Sequence, residues 1–195
     1  MSDEFVLATA NPDKAAEIRQ ILGPAVPLVP RPADVPEVEE TGETLLANAR
    51  LKARALVAAT GKPAIADDTG LEVDALGGAP GVYSARYAGA GASYADNVAK
   101  LLAELENTAG MARTARFRTV AVAAWPDGAE AVAEGTVEGI IASEPRGGAG
   151  FGYDPVFVPD GGGGQTFAEM APDAKHAVSH RGRAFGRLAA LLAAR

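Results

Sequence analysis

The sequence predicts an α/β fold in which short buried strands alternate with helices. Three observations support this prediction. Short apolar runs of strand length alternate with segments whose apolar residues have helical spacing. Glycine or proline punctuates the chain between most of these segments. Hydrophobic residues make up 48% of the 195 residues, which is enough for a sizeable core.

The first half of the chain predicts a strand, a helix, an extended segment, a long helix and a second strand. Residues 5–9 are apolar, and Asn11-Pro12 starts a helix because Asn is a good N-cap and Pro suits the first helical position. The Pro-rich residues 24–36 are expected to be extended, and a long helix is predicted over residues 41–60. The following strand is expected to end in a turn at ADDTG, residues 66–70.

In the second half, a loop is predicted over residues 77–91 and a helix over residues 93–105. Two neighbouring strands are predicted over residues 116–125 and 131–142, and a last amphipathic helix over residues 182–194. Ser93 and Asp96 have the spacing of a helix cap. Asp127-Gly128 is typical of a tight turn between strands. Internal repeats and a clear linker are both missing from the sequence, so we expect a single domain over residues 1–195.

Composition excludes several classes of function. The sequence has no cysteine, which excludes disulfides and thiolate metal sites. Its formal net charge of −7 disfavours binding to a nucleic-acid polymer, and an anionic small molecule would need local cations or a metal. Its apolar runs are too short to span a bilayer. The first residues carry acids rather than a basic leader, so the expected location is the cytoplasm.

Two adjacent acids, Asp67 and Asp68, follow the apolar run of the second strand. Paired acids at a strand end commonly hold a divalent metal or activate a water molecule. Adjacent strand residues point to opposite faces, so only one of the two can face a given cleft. The alternative is a solvated turn, because Asp favours turns.

Two further segments are compatible with the binding of an anion or a metal. Residues 9–14, TANPDK, place a helix N-terminus and Lys14 where a phosphate could bind, although an ordinary helix cap has the same pattern. Acids cluster just before the long helix and could reach a metal or form a solvated face: Glu37, Glu39, Glu40 and Glu43.

Two segments near the C-terminus are compatible with nucleotide binding. Residues 151–155, FGYDP, could form an aromatic platform for a flat ring, or simply a turn before a strand. Residues 175–185, KHAVSHRGRAF, bring both histidines and several cations together. A basic surface patch is the alternative for this second segment.

The order of these segments resembles the inosine triphosphate pyrophosphatase family, which acts on non-canonical purine nucleoside triphosphates. The matching segments lie between about residues 5 and 186, and they are ATANPDKAAEI, EETGETLLANARLKA, ADDTGLEVDALGGAPGVYSARYAG, GFGYDPVFVP, TFAEM and KHAVSHRGRAF. The resemblance implies an elongated two-lobed fold with a long twisted mixed sheet flanked by helices, and a cleft between the lobes. It also implies a homodimer and Mg²⁺-dependent hydrolysis of ITP, dITP, XTP and dXTP to the monophosphate and pyrophosphate.

The resemblance also implies roles for individual residues. Asp68 matches a Mg²⁺ ligand and general base, and Glu39 matches a second metal ligand, with Glu37 and Glu40 as alternatives. The matching substrate-binding residues are Thr9, Ala10, Asn11, Pro12, Asp13, Lys14, Lys52, Thr69, Phe151, Gly152, Tyr153, Asp154, Lys175, His180 and Arg181. Ala10 stands where many members have Gly, so ordinary backbone is expected there. Two alternatives are a Maf-type pyrophosphatase with another base preference and a non-catalytic nucleotide-binding module.

Overall fold

The structure, a computed structural model, describes residues 4–108 and 112–195. The strands and α-helices of these residues, in chain order, are β1 Phe5–Leu7, α1 Pro12–Leu22, β2 Leu28–Pro30, α2 Leu45–Thr60, β3 Ala64–Val73, β4 Pro80–Gly81, α3 Tyr94–Glu104, β5 Thr114–Ala124, β6 Glu130–Ile141, β7 Phe157–Pro159, α4 Pro172–Val178 and α5 His180–Ala193.

The strands form one mixed sheet in the order β2-β1-β3-β5-β6-β7, and β4 pairs with β3. Strand β1 is parallel to both β2 and β3. Antiparallel pairs join β3 to β4 and β6 to β7. The predicted α/β class with a mixed central sheet flanked by helices is therefore confirmed.

The chain divides into two compact units. Unit 1 comprises Met1–Asp68, Thr119–Gly135 and Arg181–Arg195, and unit 2 comprises Thr69–Arg118 and Thr136–His180. The expectation of one domain with a cleft between two lobes stays a prediction.

Each unit has its own buried core. In unit 1, Ile18 of α1 and Phe185 of α5 pack with Leu7 and Ile65 of the strands. In unit 2, three aromatic rings form the centre: Phe117 lies 4.8 Å from Phe157, and Phe157 lies 5.2 Å from Phe167, between ring centroids. Each core fixes the strands and helices of its own unit.

Helix starts agree with the capping residues in the sequence. The Asn11 side chain caps α1, and Ser93 and Asp96 form a reciprocal capping box at α3, as predicted. Helix α2 begins at Leu45 rather than at residue 41, because the Thr44 hydroxyl accepts the amide hydrogen of Ala47 and caps the helix there.

The predicted turn at ADDTG is wrong, because β3 continues through both acids to Val73. Leu71 and Val73 are fully buried, and Leu71 pairs with β4, so the strand gains burial and a partner by continuing. Side chains from helices bind the two carboxylates, as described below. Local turn geometry is not needed to satisfy them.

The end of the chain contains one helix more than predicted. Residues 172–178 form the separate helix α4, with Pro172 in its first turn, and α5 then begins at His180 directly after Ser179. The turn at Asp127-Gly128 is confirmed, and Gly128 has a φ of 87° there. Every described non-glycine residue, Ala10 included, has negative φ. Across residues 4–108 and 112–195, all helices are too short or too polar to cross a bilayer.

Candidate active site

The β1–α1 turn is organised by the side chain of Asn11. Its Oδ1 accepts the amide hydrogens of Asp13 at 2.9 Å and Lys14 at 3.3 Å. The Asn11 amide in turn donates to the Thr9 hydroxyl at 3.1 Å. The expected contact of a phosphate with these two amides would therefore have to replace the Asn11 cap.

A cavity of about 280 Å³ opens beside this turn. Two arginines that the sequence analysis did not single out, Arg19 and Arg31, line it together with the predicted residues Thr9, Ala10, Asn11 and Pro12. Its lining residues carry two guanidinium groups and no carboxylate, so this side of the turn is positively charged in an otherwise acidic protein.

Asp67 binds the cations of α1 and α5. Its Oδ2 lies 3.2 Å from Lys14 Nζ and 4.0 Å from Arg181 Nε, and Arg181 also donates to Glu17. Burial by itself would raise the pKa of Asp67, but the charges of Lys14, Arg181 and Lys52 outweigh it and lower the pKa to about 2. Asp67 is therefore ionised and holds two of the predicted substrate-binding cations in place.

Asp68 contacts a different helix. Its Oδ2 accepts from Asn48 Nδ2 at 3.1 Å, and its Oδ1 accepts from Lys52 Nζ at 3.1 Å. Both partners lie on α2, one turn apart. The two neighbouring acids thus have separate partners, as strand alternation predicts.

Burial raises the pKa of Asp68, and Lys52 only partly offsets this effect. The ammonium group of Lys52 is shared with Glu40, whose Oε1 lies 2.9 Å away, and the Glu40 charge raises the pKa of Asp68 further. Burial would lower the pKa of Lys52, but the carboxylates of Asp68, Asp67 and Glu40 raise it instead. Lys52 is therefore a fixed positive charge, and Asp68 binds a proton more readily than an ordinary aspartate does.

The carboxylates around Lys52 fit a Mg²⁺ ion that takes only one or two ligands from the protein. Within residues 4–108 and 112–195, groups of three or more His, Cys, Asp or Glu suited to a metal do not occur. Mg²⁺ commonly takes one or two carboxylates and completes its shell with water and substrate phosphates, and Asp68 and Glu40 offer two carboxylates around Lys52. Glu37 and Glu39 are exposed, and the assignment of Glu39 to the metal stays a prediction.

In unit 2, Asp154 and Lys175 form a buried ion pair. Lys175 Nζ lies 2.7 Å from Asp154 Oδ2, and that oxygen also accepts the Phe151 amide hydrogen at 2.8 Å. The Lys175 ammonium lies 5.3 Å from the centre of the Phe151 ring. The centre of the Tyr94 ring lies 5.8 Å from the centre of the Phe151 ring. Asp154 and Lys175 therefore hold Phe151 in place.

Only one of the two FGYD aromatic rings fits the expected platform. Phe151 is half-buried, but Tyr153 is only 4% exposed, and its hydroxyl donates to the Ser84 carbonyl at 2.9 Å. Burial, together with the nearby Tyr87 and Glu104, raises the pKa of Tyr153. Tyr153 is thus a core residue, and the platform prediction is limited to Phe151. Gly152 between them has a φ of 64°, which favours glycine.

The remaining predicted residues differ in exposure. His180 is 2% exposed, and its ring stacks on Phe117 at 4.4 Å with an interplanar angle of 15°. Thr69 is half-buried on β3, and Asp13 is exposed on α1. Direct contact of these residues with a substrate stays a prediction.

Three residues that contact the predicted site residues of unit 1 were missed or left ambiguous by sequence reasoning: Glu17, Glu40 and Asn48. Asn48 carried a usable signal, because it interrupts the apolar face of α2 formed by Leu45, Ala49 and Ala53. A polar residue on a buried helix face needs a partner, and here that partner is Asp68.

Comparison with known proteins adds sequence and structural relatives. The profile of the Ham1 family matches residues 5–191. A dITP/XTP pyrophosphatase of Rhodospirillum centenum is 49% identical over 191 residues, covering 96% of this chain and 94% of the relative. A dITP/XTP pyrophosphatase of Caulobacter vibrioides is 47% identical over 193 residues, covering 98% and 99%.

Two solved structures show the same architecture. A HAM1 protein from Coxiella burnetii superimposes with a TM-score of 0.89 at 42% identity, covering 98% of this chain and 99% of the other. A nucleoside-triphosphatase, dITP/XTP pyrophosphatase, from Mycobacterium abscessus has a TM-score of 0.76 at 47% identity, covering 95% and 98%.

Proposed function

Because the chain belongs to the Ham1 family, we propose that it hydrolyses non-canonical purine nucleoside triphosphates, including dITP and XTP, to the monophosphate and pyrophosphate. The observation that carries the proposal is the pairing of Asp68 with Lys52 and Asn48, beside the Lys14–Asp67 pair. This arrangement combines a carboxylate suited to accept a proton with cations suited to bind phosphates.

The proposed reaction is attack of water on the α-phosphorus, with pyrophosphate leaving and one proton released. A general base works best when its pKa is close to the working pH, and in the metal-free protein burial raises the pKa of Asp68 in that direction. Positioning and charge neutralisation account for most catalysis of phosphoryl transfer.

Lys14 and Lys52 are proposed to neutralise the triphosphate. Both cations are already held by carboxylates, so little side-chain entropy is lost when a phosphate binds. Arg19 and Arg31 line the cavity beside the β1–α1 turn and support the binding of an anion there.

We propose that the metal is Mg²⁺ and that Asp68, with Glu39 or Glu40, holds it. Bound Mg²⁺ would polarise phosphate oxygens and offset their charge. The contact of Glu40 with Lys52 supports Glu40, whereas the family resemblance supports Glu39.

Base selection is proposed to depend on hydrogen-bond donors that face the 6-oxo group. Hypoxanthine and xanthine present an acceptor at this position, whereas adenine presents a donor and would leave the protein donors unpaired. Each unpaired buried donor costs about 1–3 kcal/mol, so a few contacts give strong discrimination. Guanine shares the 6-oxo group, so its exclusion must act at the 2-amino group.

Family resemblance also supports a homodimer, and we propose a cytoplasmic location, where such an enzyme would act on the free nucleotide pool. Sedimentation velocity measures the first property directly. A monomer across the working concentration range would remove the homodimer from the proposal.

The test is a panel of nucleotides with Mg²⁺, scored by release of pyrophosphate. ITP, dITP, XTP and dXTP are expected to be cleaved in preference to ATP, GTP and UTP. In H₂¹⁸O the label should enter the monophosphate, because attack is at the α-phosphorus. Chelation of the metal should abolish turnover, and Mg²⁺ should restore it.

The outcomes separate the alternatives. Preference for dTTP or UTP would indicate the Maf-type activity, and binding of ITP without pyrophosphate release would indicate a non-catalytic module. Asp34→Asn, which alters an exposed acid of unit 1, is the matched control for Asp68→Asn.

A further inference from the structure

Asn48 is a buried polar residue at a place where the helix pattern calls for an apolar one. It is 0% exposed on α2, on the same face as Leu45 and Ala49. Asn is a weak helix former, and burying its amide is unfavourable unless both ends are hydrogen-bonded. Its presence therefore reflects the contacts that it makes.

The two ends of the Asn48 amide bind two different segments. Oδ1 accepts the backbone N–H of Gly42 at 2.7 Å, and Nδ2 donates to Asp68 Oδ2 at 3.1 Å. The partners permit only this orientation of the amide, because the Gly42 N–H requires an acceptor and the Asp68 carboxylate requires a donor. The amide thus joins the segment before α2 to the acid of β3.

Gly42 makes this approach possible. A Cβ at position 42 would lie 2.6 Å from Asn48 Oδ1 and 2.7 Å from Ala47 Cβ, which is closer than such atoms can approach. Glu40, two residues earlier, is bound to Lys52, one turn after Asn48 on the same helix face. Residues 48 and 52 of α2 therefore hold both residues 40–42 and Asp68.

We propose that Asn48 is a positioning residue that fixes the carboxylate of Asp68 and the neighbouring segment 40–42 in the geometry used for hydrolysis. The inference rests on the proposed function, and it assigns Asn48 no contact with the substrate. Its action is to hold Oδ2 of Asp68 while Lys52 holds Oδ1.

Asn48→Ala removes both hydrogen bonds and is the first test. Since a misplacement of about 1 Å can cost about 10²-fold in rate, kcat should fall by about that factor while KM changes by less than about threefold. Unchanged kcat with a raised KM would overturn the proposal.

Asn97 provides a matched control. It is a buried Asn of α3 with the same two-sided use: Oδ1 accepts from Ala88 N at 2.7 Å, and Nδ2 donates to the Ala85 carbonyl at 3.2 Å. Asn97→Ala should lower the melting temperature about as much as Asn48→Ala and leave kcat within about twofold of wild type. Equal losses of kcat in Asn48→Ala and Asn97→Ala would mean that Asn48 has only a structural role.

A double-mutant cycle tests whether Asn48 acts through Asp68. On an Asp68→Ala background, Asn48→Ala should lower the residual kcat far less than it lowers the kcat of wild type, because Asp68, one of the two groups it positions, is gone. A double variant whose loss of kcat equals the product of the two single-variant losses would contradict the proposal. Gly42→Ala keeps both side chains but displaces Oδ1, and it should lower kcat in the same way.

A crystal structure of metal-free Asn48→Ala gives a readout that does not depend on activity. The Asp68 carboxylate should leave its wild-type rotamer, and an unmoved carboxylate would refute the inference. If wild-type protein releases no pyrophosphate from any nucleotide, the proposed function fails, and this structural comparison still decides whether Asn48 positions Asp68.

Discussion

Asp67 gives a quantitative prediction about stability and pH. It lies in unit 1, only 3% exposed, between Lys14 and Arg181. Asp67→Asn keeps the size of the side chain and removes its charge. The variant therefore isolates the electrostatic contribution of one buried carboxylate.

The expected magnitude follows from the pKa. The folded protein holds the pKa of Asp67 at about 2, against 3.8 for an ordinary aspartate. This difference corresponds to about 2 kcal/mol of unfolding free energy at neutral pH. Because the folded pKa is lowered, the contribution is complete above the unfolded value and is lost as pH falls through the folded value. About half of it should remain at pH 3.

The assay is urea unfolding of wild type and Asp67→Asn at pH 6, 5, 4 and 3. Trp125, the single tryptophan, is buried in unit 1 and reports on the same unit through its fluorescence. The difference in unfolding free energy between the two proteins should narrow by about 1 kcal/mol between pH 6 and pH 3. Asp34→Asn, at an exposed acid of unit 1, should show much less narrowing.

The reasoning would be refuted if the difference in unfolding free energy between wild type and Asp67→Asn stayed constant, or widened, as the pH falls. It would mean that Lys14 and Arg181 do not stabilise the charged form of Asp67 beyond its burial cost. The assignment of Asp67 as the residue that holds these cations would then be wrong.

Three other perturbations probe the site. Asp68→Asn should lower turnover by about 10²–10⁴-fold, because an amide cannot accept the proton of the attacking water, and turnover within about tenfold of wild type would argue against Asp68 as the base. Lys175→Met removes the cation that binds the buried Asp154 carboxylate and should cost about 3–5 kcal/mol of unfolding free energy in urea. A cost below about 1 kcal/mol would mean that the ion pair is effectively solvated. We propose that the Arg181 guanidinium is one of the donors that face the 6-oxo group, so Arg181→Ala should reduce the preference for ITP over ATP. An unchanged ratio of kcat/KM values would assign base selection to other residues.

Local patterns allowed much of the fold to be predicted. The Asn11 cap, the Ser93–Asp96 capping box and the Asp127-Gly128 turn involve residues at most three positions apart, so the sequence contains the whole interaction. The limits of β3 were not predictable in this way. Whether the chain turns or continues at Gly70 depends on the burial of Leu71 and on its pairing with β4, which are tertiary contacts.

The residues of the site divide in the same manner. Adjacent acids after a strand and cations at two helix starts were predictable, because these are properties of residue type and spacing. The partners of these residues were not predictable: Asp67 binds Lys14, Asp68 binds Asn48 and Lys52, and Glu40 shares Lys52. Such partners are 12 to 53 positions apart along the chain. Their contacts depend on how the helices pack against the sheet, which residue spacing does not specify.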